Sequence, residues 1–179
     1  MTMEKLRRAT KILDAVTPLR IDCGRLCHAA CCKGEGEIWL LPGEEKLYAN
    51  NPGFTVKSYE TEQGTNSIHV ICKENCWFNR EIRPFFCKIF PLYPLIMVDE
   101  YERIRIRLVL DPRGGSLCPL FSRPEKITRT FQKKVRLAVR LLCRDPEMLT
   151  FFRESGDFLL AMEELKQQLI STEAPWESL

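Results

Sequence analysis

The sequence has no stretch near the ~18 consecutive apolar residues of a membrane span, and its apolar segment at 90–98 is broken by Pro91 and Pro94. Its first residues, MTMEKLRRATKILDAV, are basic but carry no apolar run of signal-peptide length and no small-residue cleavage site, so secretion is not expected. A charge excess is also missing. Against 24 Asp and Glu stand 27 Lys and Arg, a net +3 too small to argue for nucleic acid without a clustered basic face. There are no internal repeats, no low-complexity segments and no linker rich enough in glycine, proline or serine to force a domain boundary. What remains is the expectation of a cytoplasmic protein folded as a single domain over residues 1–179, its 45% apolar and 28% charged residues close to globular averages.

What the sequence does have is nine cysteines. At about 5% of the chain they fall short of the roughly 8–10% of a disulfide scaffold, and an odd count would leave one thiol over. In a reducing compartment grouped cysteines point instead to metal binding or redox chemistry. Eight of them are grouped: Cys23-x3-Cys27-x3-Cys31-Cys32, then Cys72-x3-Cys76, then Cys87, then Cys118-Pro119. Thiolates are soft, strongly donating ligands with a tetrahedral habit, so eight match two four-sulfur sites or one polynuclear cluster. Adjacent residues of an extended chain point to opposite faces, so Cys31 and Cys32 would reach two metal centres more easily than one. Ionising eight thiols would take the net charge from +3 to about −5, and two dications, or two clusters of similar core charge, would return it to about −1.

Charge does not separate iron–sulfur from zinc. Three-residue gaps differ from the two-residue gaps common in zinc modules, and Trp77, Phe78, Phe85, Phe86, Phe90 and Tyr93 would shield a cluster from water and dioxygen. An iron–sulfur cluster, 4Fe-4S by preference, is therefore placed ahead of Zn2+. The three-cysteine pattern of radical iron–sulfur enzymes is absent, because the gaps here are three, three and zero, and the chain is short for the barrel that chemistry occupies.

The fold class expected is α+β: a small Cys-rich, metal-centred part at 17–121 with short β-hairpins, an N-terminal helix, and C-terminal helices over 122–171. Leu6, Ala9, Leu13 and Val16 repeat at helical spacing and predict a helix over 1–16. Residues 21–36 have neither helical nor strand period and read as a loop shaped by something other than an apolar core. A short strand at 38–41 leads into the Pro42-Gly43-Glu44-Glu45 turn and a short helix; runs at 54–59 and 67–72 read as one hairpin, and 95–98 with 103–110 as another. Ser122-Arg123-Pro124-Glu125 looks like a capping box opening a long helix, Asp145-Pro146-Glu147 like a restart, and Phe158, Met162, Leu165 and Leu169 like the apolar face of a last helix.

Several residues are weighed and set aside. Cys143, beside Leu141 and Leu142, reads as a buried core thiol. His28 and His69 are not needed as ligands where thiolates fill the sites, and neither makes a defensible Cys–His nucleophilic pair. Arg103, Arg105, Arg107 and Arg113, with Lys133, Lys134 and Arg136, read as solvated basic faces rather than a nucleic-acid surface. Arg83, four residues before Cys87, is a candidate hydrogen-bond donor to a ligand sulfur.

The strings DCGRLCHAACCKGEGEIWLLPGEE, CKENC and IRPFFCKIFPLYP resemble the CxxCxxCC family, a zinc- or iron-chelating domain, over roughly residues 20–120. The resemblance rests on the double cysteine, on Arg83-Pro84-x-x-Cys87 and on Phe90-Pro91. It implies a metal-chelating set of Cys23, Cys27, Cys31, Cys32, Cys72, Cys76 and Cys87, with Cys118 as the eighth. The flagellin lysine N-methylases are similar through the same motif, which implies a cluster working with S-adenosylmethionine. This chain is much shorter than they are, and its Gly34-x-Gly36 and Gly114-Gly115 make no nucleotide fingerprint. The functional expectation is a metal-binding protein with a redox or cluster-assisted role. A zinc-stabilised interaction module is the alternative, and a short S-adenosylmethionine-dependent methyltransferase the third reading. The expected partners are metal ions and a protein or small molecule that the sequence does not identify, with no membrane.

Overall fold

The computed structural model describes residues 3–33, 36–60, 66–73, 79–114 and 118–172. Helix α1 (Met3–Lys11) turns Leu6 and Ala9 inward, and Leu13, just beyond its end, completes the same sealed stripe. It packs on α4 (Arg129–Leu142), whose Phe131, Val135, Ala138, Val139 and Leu142 form the facing stripe. The predicted capping box does not open this helix. Residues 124–126 form a 3-10 turn, Ile127 is extended, and α4 starts one step later, where the Thr128 hydroxyl accepts a 3.3 Å hydrogen bond from the Phe131 amide. Thr128 thus satisfies one of the first orphan N–H groups, and its own amide donates to the Pro18 carbonyl at 2.8 Å.

The two predicted C-terminal helices are one, α5 (Pro146–Thr172), 27 residues long. Its inward side is Met148, Phe152, Ser155, Gly156 and Leu159. The stripe expected from the sequence faces the other way, with Phe158, Met162 and Leu165 about half exposed at 53%, 49% and 52%. Tyr93 explains part of this choice: its hydroxyl lies 2.6 Å from the Ser155 hydroxyl, so a polar pair occupies the middle of the packed face.

Two antiparallel sheets complete an α+β chain. In the first, β3 (Asn66–Cys72) lies between β1 (Ile38–Trp39) and β2 (Phe54–Glu60). The second is a hairpin of β4 (Leu92–Val98) and β5 (Ile104–Leu110), on which Ile104, Ile106 and Leu108 are half-buried and Arg103, Arg105 and Arg107 exposed, the alternation read in the sequence. Helix α5 packs on β4 and α4 on β5, so the main core is closed by helices α1, α4 and α5 over the hairpin and the short helix α3 (Phe85–Ile89). A smaller cluster of Leu40, Tyr48, Phe54 and Val70 lies beneath the three-stranded sheet. Among the described residues no helix is long and apolar enough to cross a membrane.

Candidate functional site

The cysteine loop is built from turns rather than from buried side chains. Thr17 donates to the Leu19 and Ile21 carbonyls at 2.7 and 3.0 Å and bends the chain after α1. Asp22 then caps a 3-10 turn over Cys23–Arg25, its carboxylate accepting from the Gly24 amide at 3.1 Å. His28 and Ala29 follow with φ of 52° and 58°, two consecutive non-glycine residues in the left-handed region, each costing about 1 kcal/mol or more. The Ala29 amide closes the turn onto the Gly24 carbonyl at 2.8 Å, and the chain enters helix α2 (Ala30–Lys33), which carries Cys31 and Cys32. The backbone at this pair is helical, so the extended geometry that would send neighbouring thiols to opposite faces does not apply.

The loop brings Cys23 and Cys27 together with a cysteine about ninety positions away. Cys27 donates weakly to the Cys23 carbonyl at 3.5 Å. Burial pushes the Cys23 thiol up to about 11; the nearby Cys27 thiol adds to this, Arg80 opposes it, and Asp22 and Cys118 raise it further. Cys118, extended just before the 3-10 turn Pro119–Phe121, is raised first by burial and then by Cys27, with the Leu120 amide opposing. Cys23, Cys27 and Cys118 therefore lie within electrostatic reach, with Cys27 common to both other thiols. Each thiolate formed there makes the next harder to form, and a cation is what relieves that conflict.

Arg80, three residues before the arginine singled out from the sequence, acts on Cys23. Its guanidinium donates to the Leu13 carbonyl at 2.9 Å through Nε and to the Lys88 carbonyl at 2.7 Å through Nη2, which pins it between the end of α1 and helix α3. Burial and the neighbouring Arg83 push Arg80 below its ordinary value, while Cys23 pulls it back. Arg83 thus belongs to the same charged neighbourhood. The signal for Arg80 in the sequence is slight: the Asn79 side chain caps the 3-10 turn Arg80–Ile82 by accepting from the Glu81 amide at 3.0 Å, and that turn fixes where Arg80 starts.

Helix α3 holds Cys87, half-buried, and is anchored by two buried charges. Glu44, fully buried, accepts from the Phe85 amide at 2.8 Å and from the Leu41 amide at 2.9 Å. A residue forty positions upstream therefore caps this short helix, because Pro84 at its own cap position offers no acceptor. Gly43, with φ of 86°, makes the turn that delivers Glu44. Burial raises the Glu44 carboxyl to about 7, opposed by the two amides and then by Lys88. Lys88, only 2% exposed, donates to Asp14 at 2.6 Å and to the Glu81 carbonyl at 2.9 Å.

The remaining candidates are spread more widely. Cys31 is half-buried on α2, and Cys72 ends β3 opposite Phe54 on the small apolar cluster. Cys76 lies outside the described residues, as do Trp77 and Phe78. Among the described residues no three His, Cys, Asp or Glu side chains stand close enough to hold a metal ion. Cys143 is buried in the main core, where burial raises it to about 12, as its apolar helix position predicts. His28 is exposed, and Arg103 and Arg105 fold back onto Asp99 at 2.8 and 3.5 Å.

His69 belongs to a second constellation that sequence reasoning missed. The register places it between Trp39 of β1 and Lys57 of β2, with Ser67 beside Tyr59 one step along the same face. Glu37, just before β1, lies 3.2 Å from His69 Nδ1 and accepts from Lys57 and Tyr59, each at 2.7 Å. Ser67 Oγ lies 2.6 Å from His69 Nε2. The only signal in the sequence is Ser-x-His in a strand, which places both side chains on one face.

No family model matches the chain, and comparison with curated proteins and with solved structures finds no match either.

Proposed function

We propose that the chain is a metal-binding protein of the CxxCxxCC type, whose cysteine loop is completed by a Cys-ligated centre, an iron–sulfur cluster in preference to zinc. The observation that carries the reading is the cysteine loop itself, where Cys27 Sγ lies 3.5 Å from the Cys23 carbonyl and His28 and Ala29 take left-handed φ of 52° and 58°, with Cys118 acting on Cys23 at electrostatic range. Thiols kept protonated by burial and by one another gain most from a cation, and the strained turn at His28 and Ala29 gains a fixed anchor. The holding set is Cys23, Cys27, Cys31, Cys32, Cys72, Cys76, Cys87 and Cys118, with Arg80, seconded by Arg83, as the positive charge beside the sulfurs. A cluster, when bound, supplies one-electron chemistry, whereas zinc supplies a cross-link. The zinc alternative, an interaction module, draws on Ile21 and Leu26, which are 56% and 61% exposed at the rim of the loop and offer apolar surface to a partner.

Anaerobic purification followed by iron, zinc and acid-labile sulfide analysis, with a visible spectrum of the same sample, tests both. Iron with sulfide and broad absorption that bleaches on reduction is the expected result, and substituting Cys27→Ser should remove most of it. Stoichiometric zinc without sulfide turns the reading to the interaction module. Anaerobically purified protein free of any metal, or a Cys27→Ser protein with unchanged metal content, overturns the metal reading.

A further inference from the structure

The exposed face of the three-stranded sheet carries an arrangement of a different kind. Ser67, His69 and Glu37 form a chain of 2.6 and 3.2 Å contacts through the two nitrogens of one imidazole. Glu37 is held ionised, its pKa lowered from the ordinary carboxylate value chiefly by the Lys57 ammonium and the Tyr59 hydroxyl that donate to it. An ionised carboxylate at Nδ1 requires an N–H there, which leaves Nε2 as an acceptor facing the Ser67 hydroxyl. The network thus selects the tautomer a general base needs. The ring is wedged between aromatics, 6.2 Å from Trp39 and 5.0 Å from Tyr59 by centroid, so its orientation is fixed by packing as well as by hydrogen bonds. Arg113, stacked on Trp39 at 4.4 Å, closes the far side.

Ser67 also lines a groove of about 700 Å³ between the Pro42-Gly43 turn and the start of α5. Three glutamates, Glu45, Glu147 and Glu154, line it against one lysine, Lys46. One oxygen of Glu45 is buried and has no hydrogen-bond partner among the described residues. Ser67 therefore stands at the edge of a cavity of substrate size whose lining favours positive charge.

We infer that Ser67, His69 and Glu37 form an acyl-transfer site, with Ser67 as nucleophile, His69 as general base and Glu37 as the positioning carboxylate, acting on esters that carry a cationic group. Ser67 Oγ forms a bond to the ester carbonyl carbon while its proton passes to His69 Nε2. The carbon–oxygen bond to the leaving alcohol then breaks, and His69 returns the proton to that oxygen. Water attacks the acyl-serine in the same way, releasing the carboxylic acid and restoring Ser67. No oxidant or metal is required, so this inference stands or falls apart from the cysteine centre.

Thiols also react with activated esters, so the decisive probe is a fluorophosphonate, which selects activated serines. The full-length protein as purified is incubated with the reagent and the adduct is located by mass spectrometry. One adduct on Ser67 is expected, lost in Ser67→Ala and slowed on the order of 100-fold or more in His69→Ala, each variant first shown to keep the parent's circular dichroism and metal content. The labelling rate should rise with pH as His69 loses its proton, below the ordinary histidine range, because burial outweighs the attraction of Glu37 and Arg113 and Lys57 add repulsion. Glu37→Gln should move that midpoint to lower pH as well as slow the reaction, which a purely structural role for Glu37 would not do. Between two aryl esters of equal reactivity, the one bearing a quaternary ammonium should turn over faster than the one bearing a sulfonate. No adduct on Ser67, equal labelling in His69→Ala, or a preference for the anionic ester overturns the inference.

Discussion

Across the main core, Leu6, Phe85, Phe131, Val135 and Phe152 are sealed from solvent, whereas over residues 19–31 Ala29 alone reaches that degree of burial. The core is held by apolar area, which needs no particular partner atom. The loop is held by hydrogen-bonded turns and by a carboxylate cap at Asp22. Such turns give little net stability in water, and two left-handed residues work against them. The comparison sets Cys23, Cys27 and Cys31 in a part of the chain that apolar burial does not secure, whereas Cys72 and Cys118 sit against packed apolar residues and Cys87 on the core helix α3.

On the proposed metal reading, the sharpest way to break this comparison is to remove the centre. Chelation of the loaded protein should raise amide exchange across residues 21–33 on the order of 100-fold while α4 keeps its protection; exchange rising equally in both would join the loop to the core. Truncating the core should do the converse. Phe131→Ala, at a fully buried position, should cost about 3–5 kcal/mol in urea unfolding without changing metal content under native conditions. A smaller effect is expected at Gly114, where a β-carbon would come within 2.3 Å of the Phe90 ring and 3.3 Å of Phe121. Gly114→Ala should therefore cost about 1–3 kcal/mol, and an unchanged urea midpoint would show that the Phe90 ring simply swings aside.

A further effect, set by pH rather than by packing, concerns Glu44, which joins the core residue Phe85 to the strand segment at Leu41. Its carboxyl titrates at about 7 in the fold against an ordinary 4.5, so between these values the folded chain holds a proton that the unfolded chain has lost. The contribution of this group is intact below 4.5 and is lost as pH rises through about 7. Glu44→Gln removes that slope. The urea midpoint of the parent should fall relative to Glu44→Gln between about pH 5 and 8, and parallel profiles would show a carboxylate that stays ionised throughout.

The hairpins were legible because alternation is local: Ile104, Ile106 and Leu108 against Arg103, Arg105 and Arg107 states both strand and face. The start of α4 was not, because the choice between Ser122 and Thr128 as cap depends on Thr128 also bonding to Pro18, 110 residues away. On α5 two apolar stripes compete, and the meeting of Tyr93 with Ser155, which favours the buried one, is tertiary. Of the thiols, the grouping was legible in the spacing, but the approach of Cys118 to Cys27 is tertiary. Arg80 escaped notice for the same reason, since its partners Leu13 and Lys88 lie on either side of it in sequence. Glu37 and His69, thirty-two positions apart, meet only once β1 pairs with β3.

That pairing has a consequence for how the chain can change length. In β3 the odd-numbered Ser67 and His69 face the polar network, while the even-numbered Ile68 and Val70 face the small apolar cluster. Inserting one residue before Ser67 while the pairing partners stay fixed would exchange the two sides, turning valine outward and histidine onto Tyr48 and Phe54. Two inserted residues would keep each side's character but hand every partner to its neighbour. The strand therefore reads its own sequence in steps of two, and a deletion of one there erases the groove-side chemistry and the packing beneath it together.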